Sequence, residues 1–253
     1  MNREEQILIK RFHDLADAAY NRGITTFSDY LNLNEISHLN TILKDISYVK
    51  VVLDGGYPLA ERQIAAFVPD AFLAEREHPD YPVTVLKITP LNHKFAEKLT
   101  HRDFLGAILN LGIERAKIGD ISVKESVAYI FVHNSMRDFL KNELTRIKHT
   151  SIKVEETMEI EEISPEFLHM EGSVSSERID AVIAFAFSTS RSALSGLTAA
   201  EKVFLNGKVC YSNCQLLKQG DIVSVRGFGK FIYGGMISTT KKGRCFIALD
   251  KYI

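Results

Sequence analysis

The chain is 253 residues long, with 31 Lys and Arg against 32 Asp and Glu, 45% hydrophobic and 25% charged residues, a globular composition that excludes disordered and fibrous classes. At roughly 100–200 residues per domain it holds one large domain or two to three small ones. Its three cysteines, Cys210, Cys214 and Cys245, form no CxxC pair, which argues against a disulfide framework or zinc ribbon and for a reducing compartment.

The N-terminal MNREEQILIKRF is charged from residue 3 and lacks the apolar core and cleavage site of a secretory signal. Two helices are predicted from apolar spacing: Glu4–Arg22, with Ile7, Leu8, Phe12, Leu15, Ala16 and Ala19, and Asn34–Ile46, with Ile36, Leu39, Ile42, Leu43 and Ile46. Asn34 and Glu35 read as the N-cap region of the second. Residues 48–54 (YVKVVLD) and 63–69 (QIAAFVP) are strand-like and flank a GGYP turn, so they are expected to pair as a hairpin. Arg62 is either a phosphate contact or a surface arginine. These elements form an N-terminal α/β region over 1–80.

From Tyr81 the pattern runs strand (81–88), helix (Arg102–Leu111), strands (121–126 and 127–133), helix (Ser135–Ile147) and strand (150–160). That βαββαβ order is the ferredoxin-like arrangement, which also underlies the RNA-recognition motif, where aromatics on the central strands stack on unpaired bases. Tyr129 and Phe131 share one face of a strand. No basic-glycine-aromatic signature surrounds them, so they are expected in the core. Thr100 and Asp103 can cap the first of these helices and Gly112 stops it; His101, Arg102 and Arg115 either contact RNA or decorate a solvated end.

Residues 151–171 are rich in glutamate and pass into GSVSS at 172–176, a composition shift that reads as the end of a domain over 81–171 followed by a linker. Charge divides there as well. From Ser176 onward the chain carries 11 basic and 5 acidic residues, whereas the first 175 residues carry 20 and 27. A near-neutral total thus conceals an acidic body and a basic tail domain, 176–253, suited to a polyanion. The longest apolar run, Ala181 to Phe187, is far short of the roughly 20 residues that span a bilayer, so a cytoplasmic protein with no membrane partner is expected.

The basic tail carries the sharpest motifs. Ile179, Val182, Ile183, Ala186 and Phe187 make one apolar stripe and leave Arg178 near the helix start, free to face outward. Ser190 is a candidate N-cap for a second helix, where free amides and the positive dipole end favour phosphate and Arg191 adds a bidentate donor. Residues 203–209, VFLNGKV, form a hairpin whose Asn206-Gly207 turn needs positive φ at both positions, with Lys202 at its base and Lys208 at its tip. Gln219-Gly220-Asp221 leads into a strand ending at Arg226, and GFGKF then presents Gly227, Gly229 and Lys230 to a phosphate.

Arg178-Ile179-Asp180, Ser190-Arg191-Ser192, the hairpin and Gly220-Asp221-Ile222-Val223-Ser224-Val225 occur in the order of the S4 RNA-binding domain, which this stretch resembles. The resemblance implies RNA-facing roles for Arg178, Arg191, Ser192, Lys202, Asn206 and Lys208, with Asp180 and Asp221 ordering turns. Beyond that domain, DGGYPLAER at 54–62, HRDFLGAILNLGIERAKIGDI at 101–121 and the segment from Gly229 resemble the YlmH family over essentially the whole chain. That resemblance implies an α+β protein with an RRM-like central domain and a C-terminal S4 domain of two helices and a small antiparallel sheet. It also implies association with large-subunit rRNA and peptidyl-tRNA in rescue of stalled translation.

No G-x-G-x-x-G, P-loop, G-x-S-x-G elbow or H-x-x-x-H pair occurs, and no histidine stands beside a cysteine at metal-ligand spacing. The expectation is therefore a non-catalytic RNA-binding protein without cofactor or metal, partnered by the ribosome, rRNA and tRNA, with RNA contacts at Arg178, Ser190, Arg191, Ser192, Lys202, Asn206, Lys208, Arg226 and Lys230. Nothing demands a dimer, so a monomer is expected. The alternatives are an RNA-modifying enzyme with its active site in the first 175 residues, and a cell-division-linked adaptor acting through the acidic segment 155–171.

Overall fold

The computed structural model describes residues 3–58, 60–69, 79–92, 94, 96–124, 126–158, 166–192, 194, 196–240 and 243–253. The chain forms two compact units, 1–164 and 165–253, and its described residues have an α+β architecture in which every paired strand is antiparallel.

In the first unit α1 (Arg3–Arg22) buries Phe12, Ala16 and Ala19, the stripe its spacing predicts. Strand β1 (Thr26–Leu31) follows, an element the periodicity does not announce. Helix α2 (Leu33–Ile42) is capped by Asn32 rather than Asn34: the Asn32 side-chain oxygen accepts from the amides of Asn34 and Glu35 at 2.9 and 3.0 Å, and the Glu35 carboxylate accepts the Asn32 amide at 2.7 Å. Strands β2 (Val49–Asp54) and β3 (Gln63–Pro69) pair as expected, while β1 takes the other edge of β3, giving the order β1-β3-β2.

The central segment follows as β4 (Val83–Pro90), α3 (His101–Asn110), β5 (Ile118–Lys124), β6 (Val127–His133), α4 (Arg137–Glu143), β7 (Arg146–Ile147) and β8 (Thr150–Glu156), with sheet order β5-β6-β4-β8-β7. Helix α4 is shorter than the predicted 135–147, because Leu144 leaves helical geometry and Lys148, at φ 50°, closes a tight β7–β8 turn. One sheet face packs Leu86, Ile88, Ile130 and Val132 against Phe104 and Ile108 of α3 and Leu140 of α4. The other face packs Val85, Tyr129 and Phe131 against Tyr30 of β1 and Ile64 of β3. Over β4 and β6 both faces of the central sheet are therefore covered, while β8 leaves Ser151, Lys153 and Glu155 exposed on the second face; Tyr129 and Phe131, 1% and 0% exposed, are core residues as expected.

The second unit runs β9 (Phe167–Val174), α5 (Ile179–Ala186), β10 (Val203–Leu205), β11 (Lys208–Val209), β12 (Ile222–Val225), β13 (Gly229–Thr239) and β14 (Cys245–Tyr252), in sheet order β11-β10-β12-β13-β14-β9. Helix α5 covers one face over Val203, Val223, Val225, Phe231, Tyr233, Ile247 and Leu249. Two expectations are corrected here. The linker at 172–176 is in part strand: β9 pairs with β14 from Phe167↔Tyr252 to Val174↔Cys245, so the boundary lies before residue 166 and not after 171. Gly172 serves packing, since a Cβ there would fall 2.3 Å from the Phe185 ring. Nor does a second helix begin at Ser190: the described residues from 191 to 201 form successive turns, with Gly196 at φ 83° and serines and a threonine that favour turns over helix. Ala193 and Ser195 lie outside the described residues, as do 159–165 of the acidic segment.

Candidate nucleic-acid interface

The basic residues of the second unit fall into two groups. At the start of α5, Arg178 clasps Asp180 in a fork, Nε to Oδ1 at 3.2 Å and Nη2 to Oδ2 at 3.1 Å, and this pairing holds the guanidinium pKa above its ordinary value. Arg191 approaches the same carboxylate, Nε 3.9 Å from Oδ2, and donates to Ser175 Oγ at 2.6 Å. Ser190 Oγ and Ser192 Oγ are 2.8 Å apart. Asp180 thus gathers two half-exposed guanidinium groups beside a pair of hydroxyls, a cluster of donors of the kind that phosphate oxygens accept from. Sequence reasoning missed a neighbour, Arg244, which donates to Ser173 Oγ and O at 3.0 and 2.9 Å and lines with Arg191 an open groove of about 300 Å³. The basic run at 241–244 is its only sequence signal.

The second group follows the hairpin. Asn206 and Gly207 have φ of 49° and 78°, as the turn requires. The Asn206 side chain is held from both ends of its amide: Nδ2 donates to Asp221 Oδ1 at 2.8 Å and Oδ1 accepts the Ile222 amide at 2.9 Å. It locks the hairpin to β12, a structural role, while Asp221 orders the turn as predicted. The Arg226 amide donates to the Lys202 carbonyl at 2.8 Å, which places these two exposed residues together, and the Arg226 guanidinium lies 4.8 Å from the centre of the Phe204 ring. Lys208 stands opposite Leu205 on the short arm. Phe204 pairs with Ser224 and Ser224 with Lys230, so one row crosses three strands.

Lys230 Nζ lies 3.8 Å above the Tyr252 ring, and burial pulls its ammonium down to about 8. In the unfolded chain that group keeps its proton up to about 10.5. Between about pH 8 and 10.5 the unfolded state therefore binds more protons, and folding stability contributed at this residue rises with pH. Anion binding runs the other way, because the charge is lost above pH 8. Titration of RNA affinity and of chemical stability between pH 7 and 10 is expected to give opposite slopes in the native protein and flat Lys230 contributions in Lys230→Met; parallel slopes in the two titrations would contradict this assignment.

In the first unit, two arginines weighed as RNA contacts are structural. Arg62 donates to the carbonyls of Ile118, Tyr30 and Arg115 at 2.9, 2.9 and 3.3 Å. Arg115 donates to the carbonyls of Ile118 and Gly119. Asp120 completes the junction, accepting the amides of Glu61 and Arg62 at 2.7 and 3.2 Å and the Tyr57 hydroxyl at 2.9 Å. Burial raises the Asp120 pKa against these donors, while desolvation brings Arg115 down to about 10. The motifs at 54–62 and 101–121 are thus halves of one joint. Among the described residues no group of three or more His, Cys, Asp or Glu side chains is arranged for a metal ion, and no helix is long and apolar enough to cross a membrane.

An antiparallel βαββαβ segment joined to an N-terminal α/β layer, followed by a basic unit with a clamped Asn-Gly hairpin, defines the class, and sequence comparison places the chain within it. The family model described as "YlmH, N-terminal" matches residues 3–70, and that described as "Putative RNA-binding domain in YlmH" matches 76–162. The chain belongs to the YlmH family. It is 26% identical over 230 residues to the ribosome-associated protein quality control protein P2 of Bacillus subtilis (strain 168), covering 88% of this chain and 86% of that protein. Among solved structures it is similar to the cell division protein ylmH from Streptococcus pneumoniae, with a TM-score of 0.53 and 22% identity, covering 65% of this chain and 97% of the other; this likeness concerns fold.

Proposed function

We propose that the protein is a non-catalytic, cytoplasmic RNA-binding protein that associates with the large ribosomal subunit and peptidyl-tRNA and acts in rescue of stalled translation. In this reading the central segment is an RRM-like domain, and the unit from β9 onward is an S4-type domain that grips RNA as a monomer. The observation that carries it is the convergence of Arg178 and Arg191 on Asp180, in a tail that holds 11 basic against 5 acidic residues. Phosphate contacts from this face supply a salt-dependent affinity. Lys202, Lys208, Arg226 and Lys230 add a second basic group, and the acidic body opposes indiscriminate coating by RNA. The RNA-binding description of the domain matched at 76–162 and the name of the Bacillus relative support the same reading.

Sucrose-gradient sedimentation of tagged protein from lysate tests it, at low and raised salt, beside Arg178→Ala/Arg191→Ala. Wild type is expected in the large-subunit fractions, released by salt and by the double substitution. The fold is expected to tolerate both changes, since exposed ion pairs contribute about 0–1 kcal/mol. Protein that stays at the top of the gradient under every condition would overturn the ribosome assignment.

A further inference from the structure

The sheet of the central segment does not offer Tyr129 or Phe131 to bases: α3 and α4 cover one side, and β1 and β3 bury both rings on the other, where β8 exposes Ser151, Lys153 and Glu155. Its exposed helical side carries instead an open groove of about 520 Å³ between α3 and the corner from α4 to β7. Arg102, Arg146 and Lys148 bring three cations to its walls, with Asn110 as a further donor, against the carboxylates of Asp103 and Glu143. Lys148 Nζ pairs with Asp103 at 2.7 Å, and Asp103 is tied back to the Thr100 amide at 2.8 Å. Arg102 and Arg146 are exposed. The β7–β8 turn puts a lysine at positive φ, where asparagine or glycine is the usual residue, and so places an ammonium on the rim.

The floor supplies a second observation. Gly106 lies inside α3, where glycine weakens a helix relative to alanine. A Cβ at Gly106 would meet nothing within 4 Å, so internal packing does not require the glycine. Its effect is external: together with Ala107 it leaves the helix backbone bare where a ligand would lie.

We infer that this groove is a second RNA contact, which takes the phosphodiester backbone of folded RNA between Arg102 and Arg146 over Gly106. The inference rests on the RNA-binding reading above and deepens it: the central domain recognises backbone and shape through its helical side, not bases through its sheet.

The full-length protein tests it by fluorescence anisotropy against a labelled RNA hairpin, across a salt series. The variants are Arg102→Ser/Arg146→Ser, Gly106→Leu and, separately, Arg178→Ala/Arg191→Ala, with melting temperatures in parallel. Loss of two phosphate contacts is expected to weaken hairpin binding about tenfold and to lower the slope of log affinity against log salt by about 2. Gly106→Leu is expected to weaken binding without a charge change, at an unchanged or raised melting temperature, which separates obstruction from unfolding. If both groove variants bind like wild type while Arg178→Ala/Arg191→Ala does not, the groove is not an RNA site and the RNA-binding reading stands. If wild type binds neither the hairpin nor ribosomal subunits, that reading fails and this inference with it. If the groove variants lose only binding to a labelled polyglutamate peptide, the occupant is an acidic protein segment and the inference is overturned.

Discussion

Asp120→Ala is expected to destabilise the first unit by about 3–5 kcal/mol, the cost of removing one partner from a buried, hydrogen-bonded charge cluster. The carboxylate satisfies the amides of Glu61 and Arg62 and the Tyr57 hydroxyl, and it faces the guanidinium groups of Arg62 and Arg115. Alanine leaves those donors unpaired in a desolvated joint and takes a carboxylate away from two half-buried guanidinium groups. Chemical denaturation gives the magnitude, and hydrogen–deuterium exchange gives the place: amides of β3 and β5 should lose protection while those of β13 and β14 keep theirs. A loss below about 1 kcal/mol would mean that water, not Asp120, satisfies this joint.

Phe131→Ala is expected to cost a similar amount, about 3–5 kcal/mol, from lost transfer energy and the cavity left behind. Phe131 is fully buried, its ring stacks on Tyr57 with centroids 4.8 Å apart, and it lies so close to Gly56 that a Cβ there would fall 2.7 Å from it. The same substitution separates two roles for this aromatic. A base-stacking residue would lose RNA affinity at unchanged stability, whereas a core residue should lower the melting transition and loosen β1 and β3 from the central sheet. Calorimetry beside RNA binding distinguishes them, and an unchanged melting transition would remove Phe131 from the core.

Elements with strong local signals were legible in the sequence. The stripe of α1, the β2–β3 hairpin, the βαββαβ order and the Asn206-Gly207 turn each follow from spacing or turn chemistry within a few residues. Strands β1 and β9 were not, because their placement is decided by distant partners: β1 by the free edge of β3, and β9 by β14. The small residues at 172–176 imitate a linker, although Gly172 is small to admit the Phe185 ring. A similar limit applied to the site. A basic side chain next to a turn reads alike whether it faces water, as Arg226 does, or spans three carbonyls, as Arg62 does. Asn206 shows the converse, since its turn was evident and its bond to Asp221, a residue far along the chain, was not.

The pairing of β9 with β14 has the widest sequence separation of any paired strands among the described residues. During synthesis β9 leaves the exit tunnel long before its partner exists, and contacts of such separation form late because the loop between them must close first. The first unit can assemble as soon as β8 is made. The basic sheet gains its outermost strand only after β14 has emerged, so a nascent chain can complete its acidic first unit before its basic second unit.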